Sequence, residues 1–156
     1  MERSWHGVVM SDVPPLKMTP DALNAFMLRA FPASDEATIG KVIEAEPGRV
    51  LICRPYHDST LRPGGVISGP TMMGLADMAA YALVLAHIGE VAMAVTTSLT
   101  IHFLRACKPG DLYAEGVMLK LGRRIATCDV TMWTESRERA ASKATVAYAI
   151  PDGPAA

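Results

Sequence analysis

The pattern of apolar positions divides the chain into a short helix, two strands, one long apolar helix and four further strands. The first helix carries apolar residues at the spacing of one helix face: Leu23, Phe26, Met27 and Phe31. Thr19 is a favourable N-cap residue, and Pro20 suits the first helical position. We therefore expect a helix that begins after Thr19 and ends before Pro32.

The next segment predicts a β-hairpin. Apolar residues from Ile39 to Ile43 are followed by the turn sequence Glu44–Gly48 and by the strand Val50–Cys53. Residues 54–67 contain two prolines and two glycines, so we interpret them as a loop.

The segment that follows predicts a long helix from about Gly69 to Ile88. It is rich in Ala, Leu and Met, and Gly89 is a good residue for a helix C-terminus. A helix that is apolar nearly all round must be buried on most of its faces. Asp77 and His87 interrupt the run, and an Asp in mid-membrane costs about 2.5 to 3.5 kcal/mol. We therefore expect a core helix and no membrane span.

The remaining sequence is typical of antiparallel strands joined by short turns. Residues 91–104, Leu112–Leu121, Ile125–Trp133 and Ala141–Ile150 are the predicted strands. One antiparallel sheet curled around the long helix is the economical way to bury that helix. The fold class is therefore α+β: a single sheet around one central helix, with a short N-terminal helix. We expect an irregular leader at 1–18, a folded domain at 19–151 and a tail at 152–156.

Composition narrows the possible partners and the compartment. The 156 residues carry a net charge of −1, which gives no basic excess for binding nucleic acid. The three cysteines, Cys53, Cys107 and Cys128, are widely spaced and form no metal-ligand pattern, so we interpret them as free thiols of a reducing compartment. No secretory signal is visible at the N-terminus. We expect a cytoplasmic protein without a metal or a cofactor.

Asp77 is the strongest candidate for chemistry, because it is the only charged side chain between Met72 and Ala86. A carboxylate among apolar side chains is costly unless it is hydrogen-bonded or functional. One interpretation is a structural Asp on the wet edge of the helix. The other is a partly desolvated base or nucleophile. Among the histidines, His57 lies in the loop before the helix and is a weaker candidate.

The residues from Arg62 to Ala79, followed by Thr96–Arg105, resemble the hotdog-fold thioesterases of the phenylacetate-pathway type. The resemblance covers roughly residues 37–150. It implies a hotdog fold, hydrolysis of an acyl-CoA thioester without a metal, and self-association as a dimer or a tetramer. The carboxylate and the oxyanion donor would then come from different subunits.

The resemblance also implies roles for individual residues. Gly69 matches the glycine whose backbone N–H polarises the thioester carbonyl, Asp77 matches the attacking or water-activating carboxylate, and Thr96 matches a residue that holds the attacking water. Ser68 stands where the family usually has His, and Pro70 replaces a second Gly. Arg62 falls near the position of a family Asn, and Gly65 belongs to the same substrate-binding loop.

Two further groups are candidates for substrate binding. Arg105, Lys108, Arg123 and Arg124 could form a basic patch for the phosphates of coenzyme A, or simply a solvated edge. Met73, with Met72 and Met78, could line an adaptable acyl pocket or belong to the core.

Two alternative functions remain open at this point. The first is a non-catalytic protein that binds acyl groups or serves as a scaffold on the same fold, which the Ser at position 68 favours. The second is a hydratase or dehydratase of the same fold. Its chemistry generally uses a His base beside the helix start, and Ser68 and its neighbours do not supply one.

Overall fold

The computed structural model describes residues 4–5, 8–9 and 13–152. The helices are α1 (Pro20–Ala30), α2 (Glu36–Ile39) and α3 (Gly69–Ile88). The strands are β1 (Ser4–Trp5), β2 (Val8–Val9), β3 (Lys41–Glu46), β4 (Arg49–Arg54), β5 (Leu61–Arg62), β6 (Val66–Ile67), β7 (Val95–Phe103), β8 (Leu112–Leu121), β9 (Ile125–Trp133) and β10 (Ser142–Ala149).

One six-stranded sheet with the order β3-β4-β8-β9-β10-β7 encloses α3. Every neighbouring pair in it is antiparallel. The apolar residues of α3 and the inward-facing residues of the strands form one continuous core. The predicted α+β architecture, with a sheet wrapped around one long helix and a short N-terminal helix, is confirmed.

Helix α3 has the predicted bounds and the predicted burial. Ser68 is its N-cap and accepts a hydrogen bond from the Thr71 N–H at 3.3 Å, while Gly89 ends it with a φ of 89°. The helix is long and apolar enough for a membrane span by length and composition, with a mean hydropathy of 1.4. Most of that stretch lies inside the sheet, as in the core helix of a globular domain.

The two outer strands of the sheet differ in how they are covered. Helix α1 packs against the edge strand β3, where the Asn24 side-chain amide donates to the Val42 carbonyl and accepts from the Val42 N–H, both at 2.8 Å. This amide takes the place of a neighbouring strand at that point. The opposite edge strand, β7, has no such cover among the described residues, and most of it is exposed.

Several local predictions were wrong or incomplete. Ile39 was expected in a strand, but it ends α2, because the Asp35 carboxylate caps that turn through the Thr38 N–H. The predicted loop at 54–67 contains the small hairpin of β5 and β6. Strand β7 begins at Val95, later than expected.

The stretch expected to be an irregular leader contains the short antiparallel pair of β1 and β2. Its last residue, Met18, is buried in the core. The neighbouring Lys17 N–H donates to the Ala86 carbonyl at 2.7 Å, which ties this segment to the C-terminal end of α3.

A buried ion network stabilises the outer face of the sheet. The Glu115 side chain is 3% exposed and accepts from Arg49 Nε at 2.8 Å and from Arg137 Nε at 2.7 Å. Burial opposes ionisation of Glu115, but the hydrogen bonds and charges of the two guanidinium groups outweigh it and lower its pKa. Removing one partner of such a pair costs about 3 to 5 kcal/mol, because the other charge stays buried.

Candidate active site

Asp77 lies in the middle of α3 and receives two short hydrogen bonds on one oxygen. Thr96 Oγ1, on β7, donates to Asp77 Oδ1 at 2.5 Å. The Tyr148 hydroxyl, on β10, donates to the same oxygen at 2.6 Å and lies 3.1 Å from the Asp77 backbone carbonyl oxygen. Asp77 is half-buried, so part of the residue remains accessible to solvent.

A β-bulge in β7 turns Thr96 toward Asp77. Leu99 pairs with Val146 and Ser98 pairs with Ala147, but the next pair joins Thr96 to Tyr148, so Thr97 is an extra residue. On the C-terminal side of the bulge, the odd-numbered residues of β7 face the helix, as half-buried Leu99 does. The extra residue Thr97 shifts this alternation by one position, so on the N-terminal side the even-numbered Thr96 faces the helix.

The start of α3 carries the candidate oxyanion donor, the backbone N–H of Gly69. Gly69 is the first helical residue, and its N–H has no acceptor among the described residues. A Cβ atom at this position would lie 3.2 Å from Phe103 Cζ, so the glycine permits close approach of the Phe103 ring. A free N–H at a helix N-terminus is a suitable donor to a developing oxyanion.

Asp77 and Gly69 do not form one site within one chain. They are eight residues apart on the same helix, which corresponds to about 12 Å at 1.5 Å per residue. Along β7, which runs beside the helix, Gly69 lies at the Phe103 end and Asp77 at the Thr96 end. The two predicted catalytic groups therefore lie near opposite ends of the exposed edge strand.

The four basic residues that were expected to form one patch lie at two ends of the sheet in a single chain. Arg105 and Lys108 precede β8, whereas Arg123 and Arg124 follow it. A strand of ten residues spans about 33 Å. The expectation of a single patch is therefore wrong for one subunit.

Ion pairs occupy two of these four side chains. Lys108 pairs with Glu135 at 3.4 Å, and Arg124 pairs with Asp152 at 3.0 Å. Arg105 and Arg123 are exposed and have no carboxylate partner within the described part of the chain.

The other predicted binding residues surround the helix start. Arg62 is exposed in the β5–β6 hairpin, where its Nε donates to the Pro63 carbonyl at 3.2 Å. Gly65 has a φ of +72°, a conformation that favours glycine, and open space around it. Met73 is exposed on the first turns of α3, whereas its neighbour Met72 belongs to the core.

The remaining candidates have structural roles. His57 is exposed and caps a short 3₁₀ turn by accepting from the Ser59 N–H at 3.0 Å. The three cysteines are free thiols, and burial raises the pKa of each of them, to about 12 for Cys128. Such pKa values do not favour a reactive thiolate. Within residues 13–152, no three His, Cys, Asp or Glu side chains lie close enough to hold a metal ion.

Sequence reasoning missed Tyr148. The residue lies 71 positions after Asp77, and only the curled sheet brings its hydroxyl to the carboxylate. The single available signal was a tyrosine at an inward position of the last strand, where a buried hydroxyl requires a partner. Nothing in the sequence indicates which acceptor that partner is.

Comparison with known proteins identifies the family. The family model described as the thioesterase superfamily matches residues 64–141, which include the β6–α3 junction, Asp77 and Thr96. This chain belongs to the thioesterase superfamily.

Three known proteins illustrate what this chain is similar to. A candidate esterase of Saccharolobus solfataricus is 30% identical over 90 residues, which are 58% of this chain and 64% of that protein. The chain thus spans less than two thirds of that relative. The crystal structure of a candidate thioesterase from Silicibacter sp. TM1040 is 36% identical, with a TM-score of 0.79, and the match covers 87% of this chain and 94% of that one.

The third relative is a mutant of phenylacetic acid degradation protein PaaI from Thermus thermophilus. It is 25% identical, with a TM-score of 0.65 over 74% of this chain and 96% of that one.

Proposed function

We propose that this protein is an acyl-CoA thioesterase of the phenylacetate-pathway type, with Asp77 as its catalytic carboxylate. The observation that carries the proposal is an accessible carboxylate held by two hydroxyls, on the helix that the thioesterase-superfamily match covers. A carboxylate in this setting is oriented and partly removed from water, which improves it as a base or nucleophile.

The proposed reaction needs two groups of the protein. The Gly69 N–H donates a hydrogen bond to the thioester carbonyl oxygen and stabilises the negative charge that develops there. In one route Asp77 removes a proton from a water molecule that attacks the carbonyl carbon; the C–S bond breaks, the departing sulfur takes up that proton, and the free acid and the thiol of coenzyme A leave. In the other route Asp77 attacks the carbonyl carbon itself; the C–S bond breaks to give an anhydride on Asp77 and the thiolate of coenzyme A. Water then hydrolyses the anhydride, which releases the free acid and a proton for the thiolate. The coenzyme is part of the substrate and is not a resident cofactor.

The open edge strand supports a dimer in which the two halves of the site meet. β7 is nine residues long and lies at the uncovered edge of the sheet. Large apolar side chains are exposed at both of its ends, with Val95 and Phe103 each 50% exposed and Met93 68% exposed. A long, apolar, unpaired edge strand is a favourable site for pairing with a second chain.

A twofold axis through this edge would complete the site. If β7 pairs antiparallel with its copy about a point between Leu99 and Thr100, the Thr96 end of one chain meets the Phe103 end of the other. Asp77 then faces the partner subunit's Gly69. The same operation brings Arg123 and Arg124 of one subunit toward the partner's Arg105 and Lys108. Basic residues from both subunits are thus proposed to bind the phosphates of coenzyme A.

A panel of acyl-CoA esters tests the function directly. Release of the free thiol of coenzyme A is followed for short, long and aromatic acyl groups, with the Asp77→Asn variant as control. Hydrolysis by the parent that the variant lacks supports the proposal. Binding of acyl-CoA without thiol release indicates the non-catalytic alternative. Addition of water to an enoyl-CoA without thiol release indicates a hydratase.

A further inference from the structure

The hydrogen bonds of Asp77 distinguish its two oxygens. Oδ1 accepts from Thr96 at 2.5 Å and from Tyr148 at 2.6 Å. Oδ2 has no donor within the described part of the chain. Two donors occupy the in-plane lone pairs of one carboxylate oxygen, so only the other oxygen has its lone pairs available for a reaction.

We propose that Tyr148 is a positioning residue that, together with Thr96, holds Asp77 by Oδ1 and leaves Oδ2 as the oxygen that acts on the thioester or its attacking water. This inference rests on the proposed thioester hydrolysis and deepens it by assigning the reactive atom. It also changes the role of Thr96, which was expected to hold the attacking water. The Thr96 hydroxyl instead donates its hydrogen bond to Asp77.

Tyr148 is suited to donate and unsuited to act as a base. Burial raises the pKa of its hydroxyl, and the hydrogen bond to Asp77 raises it further. The phenol therefore stays protonated across the neutral range, and its single proton is directed at Asp77. Its contribution is to hold the carboxylate, not to exchange protons with substrate.

The tyrosine ring is itself held in place. It is buried, and it stacks on the Tyr81 ring with centroids 5.9 Å apart and planes inclined by 27°. The Tyr81 hydroxyl donates its hydrogen bond elsewhere, to the Ala92 carbonyl at 3.1 Å. A donor on a fixed ring restricts rotation of the carboxylate, and such restriction keeps a catalytic group in productive geometry.

The bulge at Thr97 is the structural device that makes the arrangement possible. It pairs Thr96 with Tyr148 across β7 and β10, so both side chains reach α3 from adjacent strands. Thr97 itself is exposed, and its hydroxyl donates to the Ala147 carbonyl at 3.2 Å. The chain thus offers a matched control for each donor: Thr97 for Thr96, and Tyr81 for Tyr148.

The experiment compares Tyr148→Phe and Thr96→Val with the controls Tyr81→Phe and Thr97→Val. Each of the first two variants removes one donor from the charged form of Asp77. We expect kcat to fall by about 10- to 100-fold with KM nearly unchanged. Thr96→Ser should restore kcat, and the two controls should behave as the parent.

A second readout does not depend on activity. The carbon NMR signal of the Asp77 carboxyl, recorded without substrate, should change in Tyr148→Phe and in Thr96→Val and stay as in the parent in the two controls, because only the first two variants remove a hydrogen bond from this carboxylate. An active parent whose kcat and carboxyl signal stay unchanged in both variants overturns the positioning role. A parent that hydrolyses no thioester overturns the proposed function instead. Because Thr96 lies on an exposed strand, Thr96→Val remains informative if Tyr148→Phe does not fold.

Discussion

Replacing Asp77 with Asn distinguishes a catalytic role of this carboxylate from a structural role. The substitution preserves the size of the side chain and leaves an amide oxygen that can accept from both Thr96 and Tyr148. It replaces Oδ2 with an NH₂ group, which has no lone pair for a base or a nucleophile. The geometry around Oδ1 is therefore kept while the proposed chemistry is removed.

The structure sets the expected magnitudes of this substitution. Loss of a general base lowers the rate at least about 100-fold, which corresponds to about 2.7 kcal/mol of transition-state stabilisation. Two hydrogen bonds to a charged acceptor become bonds to a neutral one, which destabilises the fold, whereas removal of a half-buried charge stabilises it. We expect the free energy of unfolding to change by no more than about 1 kcal/mol, or about 2 to 4 °C in Tm.

The assay measures kcat for thiol release and Tm on the same samples. A control variant is Asp129→Asn, because exposed Asp129 accepts from Thr145 Oγ1 at 2.7 Å in a similar Thr–Asp pair on the outer face of the sheet. That variant should keep the activity of the parent. A catalytic role of Asp77 is refuted if Asp77→Asn loses several kcal/mol of stability while each folded molecule hydrolyses acyl-CoA as fast as the parent.

Three further predictions concern the oxyanion donor, substrate binding and pH. Gly69→Pro removes the N–H at a helix position that accepts proline, and it should lower kcat by about 100-fold or more. The control Gly69→Ala adds the same Cβ but keeps the N–H, so its kcat should fall far less. Neutralising Arg123 and Arg124 should raise KM for CoA esters with kcat nearly unchanged, and a collapse of kcat with constant KM would show that their role is misassigned. Burial lowers the pKa of His87, whose Nε2 accepts from the Gly48 N–H at 3.0 Å. The fold therefore favours neutral His87. The stabilising contribution of this histidine is complete above about pH 6.5 and is lost as the pH falls below that value. Between about pH 7 and pH 5, Tm should therefore drop less in His87→Gln than in the parent.

The central helix and the sheet around it were predictable because their signals are strong and local. A run of apolar residues too long for a strand, with Asp77 as its only charge, predicts a buried helix from its composition alone. The strands from β8 to β10 follow from alternation and tight turns. Asp35 as a cap and the short turn of α2 were missed, because a single turn of helix leaves almost no periodicity.

The candidate site was predictable only in part. Ser68, Gly69 and Asp77 belong to one continuous helical segment, so their spacing can be read directly from the sequence. Tyr148 could not be found, because its contact with Asp77 depends on the curl of the sheet and on the register of β10 against β7. The bulge at Thr97 is likewise invisible in the sequence, since Thr96, Thr97 and Ser98 are all small polar residues that fit either face of a strand.

Subunit complementation tests whether Asp77 of one chain works with Gly69 of another on one thioester. Asp77→Asn and Gly69→Pro chains are each expected to be inactive. When the two are mixed and allowed to exchange, half of the dimers carry one chain of each kind. One site in such a dimer combines both defects, and the other site contains both native residues. We expect the mixture to regain up to about a quarter of the parent's activity. A mixture that forms mixed dimers but hydrolyses no more acyl-CoA than the separate variants would contradict it.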